Sequence, residues 1–71
     1  MTRMVYIYGK GTCPYTLAAR EDFARRHIPF TYIDVKNDAA ALQRLLGYSN
    51  GRRVVPVIVD GDSVTIGFGG T

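Results

Sequence analysis

Met4-Val5-Tyr6-Ile7-Tyr8 is an unbroken apolar run that ends in Gly9-Lys10-Gly11-Thr12, directly before Cys13-Pro14. A strand with one wet face alternates apolar and polar residues, so a run without alternation needs cover on both faces. It predicts a central strand over residues 4–8, in a sheet with helices on either side. Pro14 suits a first helical position and makes Cys13 the N-cap. A helix from Pro14 to about His27 then puts Thr16, Ala19 and Phe23 on one face, with Arg20, Glu21, Arg25 and Arg26 able to reach solvent, and Pro29 stops it. Phe30 to Val35 alternates Thr31, Ile33 and Val35 against Phe30 and Tyr32, the period of a second strand.

Asn37 or Asp38 caps a second helix carrying Leu42, Leu45 and Leu46 at i, i+3 and i+4, with Gly47 as its C-terminal stop. Val57-Ile58-Val59 and Val64-Thr65-Ile66 flank Asp60-Gly61-Asp62, a hairpin turn. The order is β-α-β-α-β-β. A right-handed βαβ start makes the first two strands parallel, and the closing hairpin adds two antiparallel strands to a mixed four-stranded sheet. At 71 residues this is one domain, 1–71, that buries roughly 60% of the surface its unfolded chain exposes.

Composition excludes several function classes. No segment approaches the ~20 apolar residues of a membrane helix. The N-terminus has no pattern of a secretory signal, so the expected compartment is the cytoplasm. Nine Lys and Arg against six Asp and Glu leave a net charge of +3. The pairs Arg25-Arg26 and Arg52-Arg53 are far apart and carry no aromatic interleaving, so an acidic small molecule suits the excess better than nucleic acid. A phosphatase-type Cys-x5-Arg loop needs arginine at Ala19, the phosphate-loop spacing is not met around Lys10, and Cys13 with His27 falls short of a zinc set.

Cys13 is the only cysteine. At a helix start, unpaired backbone N–H groups and the positive end of the helix dipole favour thiolate over thiol. The alternative is a small buried hydrophobe. With no second cysteine, no internal disulfide forms.

Three stations carry a family resemblance: Lys10 with Cys13-Pro14-Tyr15-Thr16, then Val54-Val55-Pro56, then Gly67-Phe68-Gly69-Gly70. In this element order they resemble the glutaredoxins, over nearly the whole chain. The resemblance implies a thioredoxin-like three-layer α/β sandwich and a thiol–disulfide oxidoreductase with roles in electron transport and cell redox homeostasis. Cys13 would be the nucleophile, and Lys10 would hold it as thiolate and contact a glutathione carboxylate. Tyr15 would line the groove, Val55 would pair with the bound tripeptide ahead of a cis Pro56, and Arg52 would meet the glycine carboxylate. Gly67 and Phe68 would approach the γ-glutamyl end. Thr16 replaces the second cysteine of dithiol members, and it either hydrogen-bonds to the thiolate or packs the helix.

The implied chemistry is a monothiol cycle with glutathione as co-substrate, disulfide-containing proteins as partners, and no metal. Cys13 takes the glutathionyl group from a substrate, and a second glutathione resolves the mixed disulfide. Two other readings stand beside it. One is a dimeric [2Fe-2S] carrier using glutathione, although such carriers usually read Cys-Gly-Phe-Ser. The other is an electron donor to a dedicated protein. The resemblance also implies that Cys13 could stand where relatives carry selenocysteine. Gly70 and Thr71 stand where many members have aspartate, and the C-terminal helix of the family is expected to be absent. The expectation is that the sheet face left uncovered supports a homodimer or a docked partner.

Overall fold

The computed structural model describes residues 4–68. β1 (Val5–Gly9), α1 (Pro14–Arg25), β2 (Thr31–Asp34), α2 (Ala39–Tyr48), β3 (Val57–Asp60) and β4 (Ser63–Ile66) follow in the expected order. The sheet runs β2-β1-β3-β4. β1 is parallel to β2, with Ile7 opposite Tyr32, and antiparallel to β3, with Tyr8 opposite Val57. This is a thioredoxin-like α/β fold.

β1 is central, which is why its residues are apolar without alternation. Val5 and Ile7 pack with Ile58 against Ala19 and Phe23 of α1. Tyr8, Val57 and Val59 pack with Val35 against Ala41 and Leu45 of α2. Phe30 and Tyr32 join the first cluster and Ile33 the second, so the alternation along β2 divides its side chains between the two helices. Each sheet face therefore carries one helix. Val64 and Ile66, opposite Val59 and Val57 on the α2 face, are exposed on edge strand β4. No helix among the described residues is long and apolar enough to cross a membrane.

Helix ends differ from expectation in two places. α1 stops at Arg25, and His27 takes a left-handed conformation, φ 57°. The N–H of Ile28 donates to the Phe23 carbonyl and that of His27 to the Ala24 carbonyl. This is a Schellman ending whose apolar pair is Phe23 and Ile28. Gly47 is not the stop of α2, which runs on through it to Tyr48. Asn50 takes the left-handed position instead, φ 59°, and the Gly51 N–H closes on the Leu46 carbonyl at 2.8 Å. At the other end Asp38 is the cap, accepting from the Ala41 N–H at 3.1 Å.

Candidate active site

The C-terminal ends of β1, β2 and β4 meet the start of β3 at one edge of the sheet. Tyr8 lies opposite Val57, so Pro56 adjoins the point where β1 hands over to the Cys13 loop. The Val55–Pro56 peptide is cis and Pro56 is buried, with its carbonyl accepting from the Gly67 N–H at 2.8 Å. The Gly9 carbonyl accepts from the Val35 N–H at 3.0 Å, tying the end of β2 to the same edge.

Cys13 is half-buried at this edge. Its N–H donates to the Lys10 carbonyl at 3.1 Å, which closes the loop into a turn, and its own carbonyl accepts from Leu17, the first bond of α1. The N-cap side chain makes no capping bond, and Pro14 occupies the first turn. The first N–H groups of a helix have no internal partners. Burial pushes the Cys13 thiol up, but the Thr16 N–H, the Thr16 hydroxyl, the Tyr15 N–H and the Lys10 ammonium together outweigh it. The result is a pKa below the ordinary 9.0.

Thr16 is completely buried, and its hydroxyl accepts from the Lys10 N–H at 3.4 Å. Its methyl and hydroxyl fill the space where a side chain on Gly9 would stand: a Cβ there would lie 2.4 Å from Cγ2 and 2.6 Å from Oγ1. Gly9 had no place among the expected site residues. A glycine two positions past the middle of an otherwise bulky buried strand was the one signal for it.

Next to Lys10 lies a groove of about 170 Å³, lined by Val35, Leu42, Leu45 and Val55 with the exposed Lys10, Lys36 and Arg53; Cys13 itself does not line it. Lys10 belongs both to the groove and to the thiolate. Arg52, expected to meet a carboxylate here, does not line it. Its backbone is held in the turn after α2, where its carbonyl accepts from the Ser49 hydroxyl and from the Val54 N–H. Arg53, with no role foreseen, takes the groove position. Lys36 was not foreseen either, because it arrives from the end of β2. Tyr15 is exposed just after the cap. Gly67, φ 88°, is buried, and Phe68 packs against the α1 cluster. Gly69, Gly70 and Thr71, expected to continue this station or to replace the family's aspartate, lie outside the described residues. Among the described residues no group of three His, Cys, Asp or Glu side chains is placed to hold a metal ion.

A thiol at a helix N-cap after the central strand, with a cis proline at the same sheet edge, defines a thioredoxin-fold redox protein. Residues 5–64 match the glutaredoxin family model, and the chain belongs to the glutaredoxin family. Among solved structures it is similar to glutaredoxin grx-1 from Archaeoglobus fulgidus, at 28% identity and TM-score 0.81 over 90% of this chain and 74% of that one. It is equally similar to NrdH-redoxin from Escherichia coli, a glutaredoxin-like protein with a thioredoxin-like activity profile. That match has 28% identity and TM-score 0.80 over 92% of this chain and 83% of the other. No curated protein matches the chain.

Proposed function

We propose that this protein is a monothiol oxidoreductase in which Cys13 exchanges with substrate disulfides and glutathione completes the cycle. The observation that carries this reading is the pairing of a lone, acidified Cys13 with a buried Thr16 at the position three residues on, where a second thiol would resolve the intermediate internally. In the first step the Cys13 thiolate attacks one sulfur of the disulfide. A new S–S bond forms to Cys13, the old one breaks, and the other sulfur leaves as thiolate. A glutathione thiolate then attacks the mixed disulfide. Cys13 is expelled as thiolate, and the departing group leaves bonded to glutathione. Two electrons pass from thiol to disulfide, and no step requires a metal.

The groove supports glutathione as the small partner. Lys10 and Arg53 offer cations to its carboxylates, and no backbone hydrogen bond engages the Val55 N–H among the described residues, leaving it open to an extended peptide. The test is turnover of a glutathionylated peptide by wild type and Cys13→Ser, with glutathione or a protein reductase as electron source. Glutathione-supported turnover lost in Cys13→Ser is the expected result; turnover independent of Cys13 refutes it. The likeness to NrdH-redoxin, with its thioredoxin-like profile, favours a second reading in which a protein reductase supplies the electrons. Turnover with the reductase alone would select that reading.

A further inference from the structure

Tyr32 does not line the groove, yet its hydroxyl reaches the loop that carries the nucleophile. The residue lies opposite Ile7 on the α1 face of the sheet, half-buried against the cluster around Ala19 and Phe23. From there its O–H donates to the Gly9 carbonyl at 3.4 Å. That carbonyl also accepts from the Val35 N–H at 3.0 Å, and its two lone pairs allow both bonds. The other pole of the same peptide group, the Lys10 N–H, donates to Thr16 Oγ1 at 3.4 Å. The Thr16 hydroxyl in turn donates to the Cys13 sulfur. The Tyr32 hydroxyl, the Gly9–Lys10 peptide, the Thr16 hydroxyl and the sulfur thus stand in line, and every donor points toward the sulfur. Over the Tyr32 ring lies the Arg20 guanidinium, 4.2 Å from the ring centroid.

We propose that Tyr32 is a positioning residue for the Cys13 nucleophile, its hydroxyl orienting the Gly9–Lys10 peptide and, through Thr16, the O–H that meets the sulfur. The inference rests on the exchange chemistry above and brings a residue of β2 into its support. A donor on a peptide carbonyl polarises the peptide and strengthens its N–H as a donor, by roughly 10–30% per bond. Thr16 Oγ1, receiving that bond, becomes the better donor to a negative sulfur. Hydrogen bonds to the charged form favour it, so the chain supports thiolate over thiol. Orientation adds to this, because the Lys10 carbonyl accepts from the Cys13 N–H at 3.1 Å and the peptide held by Tyr32 therefore begins the turn that sets Cys13. Lys10 and the backbone N–H groups of Tyr15 and Thr16 are the other groups that face the sulfur. Arg20 acts on the phenol from the second turn of α1. A nearby cation strengthens an acid, and so makes the O–H a better donor. Burial and the Asp34 carboxylate nevertheless hold the phenol above its ordinary 10.0, with Arg20 opposing them. Tyr32 therefore keeps its proton while Cys13, below 9.0, loses its own.

The experiment follows the pH dependence of Cys13 alkylation by iodoacetamide in the full chain, with the melting temperature recorded beside it. The midpoint reports the thiol pKa. Tyr32→Phe keeps the ring beneath Arg20 and removes only the hydroxyl. Both hydroxyl bonds in the line are long, at 3.4 Å, so the effect falls at the lower end of what a hydrogen bond contributes. The midpoint should rise, leaving a thiolate fraction roughly two- to threefold smaller below it. Arg20→Gln should shift the midpoint in the same direction. Added to Tyr32→Phe it should shift it no further, because the charge acts through the hydroxyl. Thr16→Val keeps the branched shape but breaks the line next to the sulfur, so it should raise the midpoint by itself and cancel the effect of a further Tyr32→Phe. An unmoved midpoint in Tyr32→Phe overturns the proposal, whatever the melting temperature does, since a merely structural role would lower only the latter. A Tyr32→Phe shift that persists undiminished beside Thr16→Val overturns it too. An Arg20→Gln shift that adds in full to that of Tyr32→Phe overturns the part given to Arg20. Wild type that fails to exchange with a glutathionylated peptide defeats the exchange chemistry instead, and the midpoint comparison is read independently of it.

Discussion

Gly9→Ala probes the packing beneath the nucleophile. The new methyl would lie 2.4 Å from Thr16 Cγ2, 2.6 Å from Oγ1 and 3.1 Å from Cβ, against the ~3.5–4.0 Å at which carbon atoms pack. Rotating Thr16 gives no escape, because a turn about χ1 places hydrogen at only one of the two crowded positions. Nor can the side chain leave, since Thr16 is 0% exposed. The first turn of α1 must move. Overpacking of this kind costs about 1–3 kcal/mol, and the lower entropy of an unfolded chain with Ala returns about 0.4–1 kcal/mol. The net loss spans about 0–2.6 kcal/mol with a midpoint of about 1.3 kcal/mol, which for a domain of this size is roughly 5–10 °C in Tm.

The same movement displaces the Thr16 N–H and hydroxyl, two of the groups that hold the thiol pKa down, so that pKa should rise toward 9.0. Thermal melting followed by circular dichroism reads the first effect, and the pH dependence of Cys13 alkylation reads the second. Adding Thr16→Ala to Gly9→Ala removes the two closest atoms and leaves only the 3.1 Å contact between Cβ atoms, so Tm should recover in part while the thiol remains less acidic than in wild type. Wild-type melting and an unshifted alkylation curve in Gly9→Ala would refute the packing argument.

Gly47→Ala should raise stability by about 0.5–1 kcal/mol, since Gly47 lies within α2 and a Cβ there meets nothing within 4 Å; denaturant titration checks it. Asp38→Ala should lower stability by about 1 kcal/mol through loss of the bond to the Ala41 N–H, seen as a lower urea midpoint. Cys13→Ser removes a group whose folded pKa lies below its ordinary 9.0. The stabilisation from that depressed pKa is fully present above 9.0 and is lost as pH falls through the folded value. The stability of wild type relative to Cys13→Ser should therefore rise with pH between the folded pKa and 9.0, and parallel pH profiles would contradict it.

Elements whose pattern is local are legible in the sequence. The unalternated run at Met4–Tyr8, the division of β2 between two faces, the leucines of α2 and the Cys13-Pro14 helix start follow from period 2, period 3.6 and the chemistry of caps. Helix ends were less so. Gly47 resembles a stop, but Asn50 and Gly51 adopt the left-handed turn, because packing of Leu45 in the core keeps the helix going for three more residues.

The amino-acid order alone thus determined the element sequence, the two apolar faces and the position of Cys13 at a helix N-terminus, since each depends on neighbours a few residues apart. Only the tertiary structure decided that Arg53 rather than Arg52 enters the groove, that Lys36 joins Lys10 there, and that Thr16 fills the space above Gly9. These contacts depend on the crossing of β1 with β2 and β3. Strand pairing brings together residues far apart in the chain, and no local periodicity records which side chains will meet.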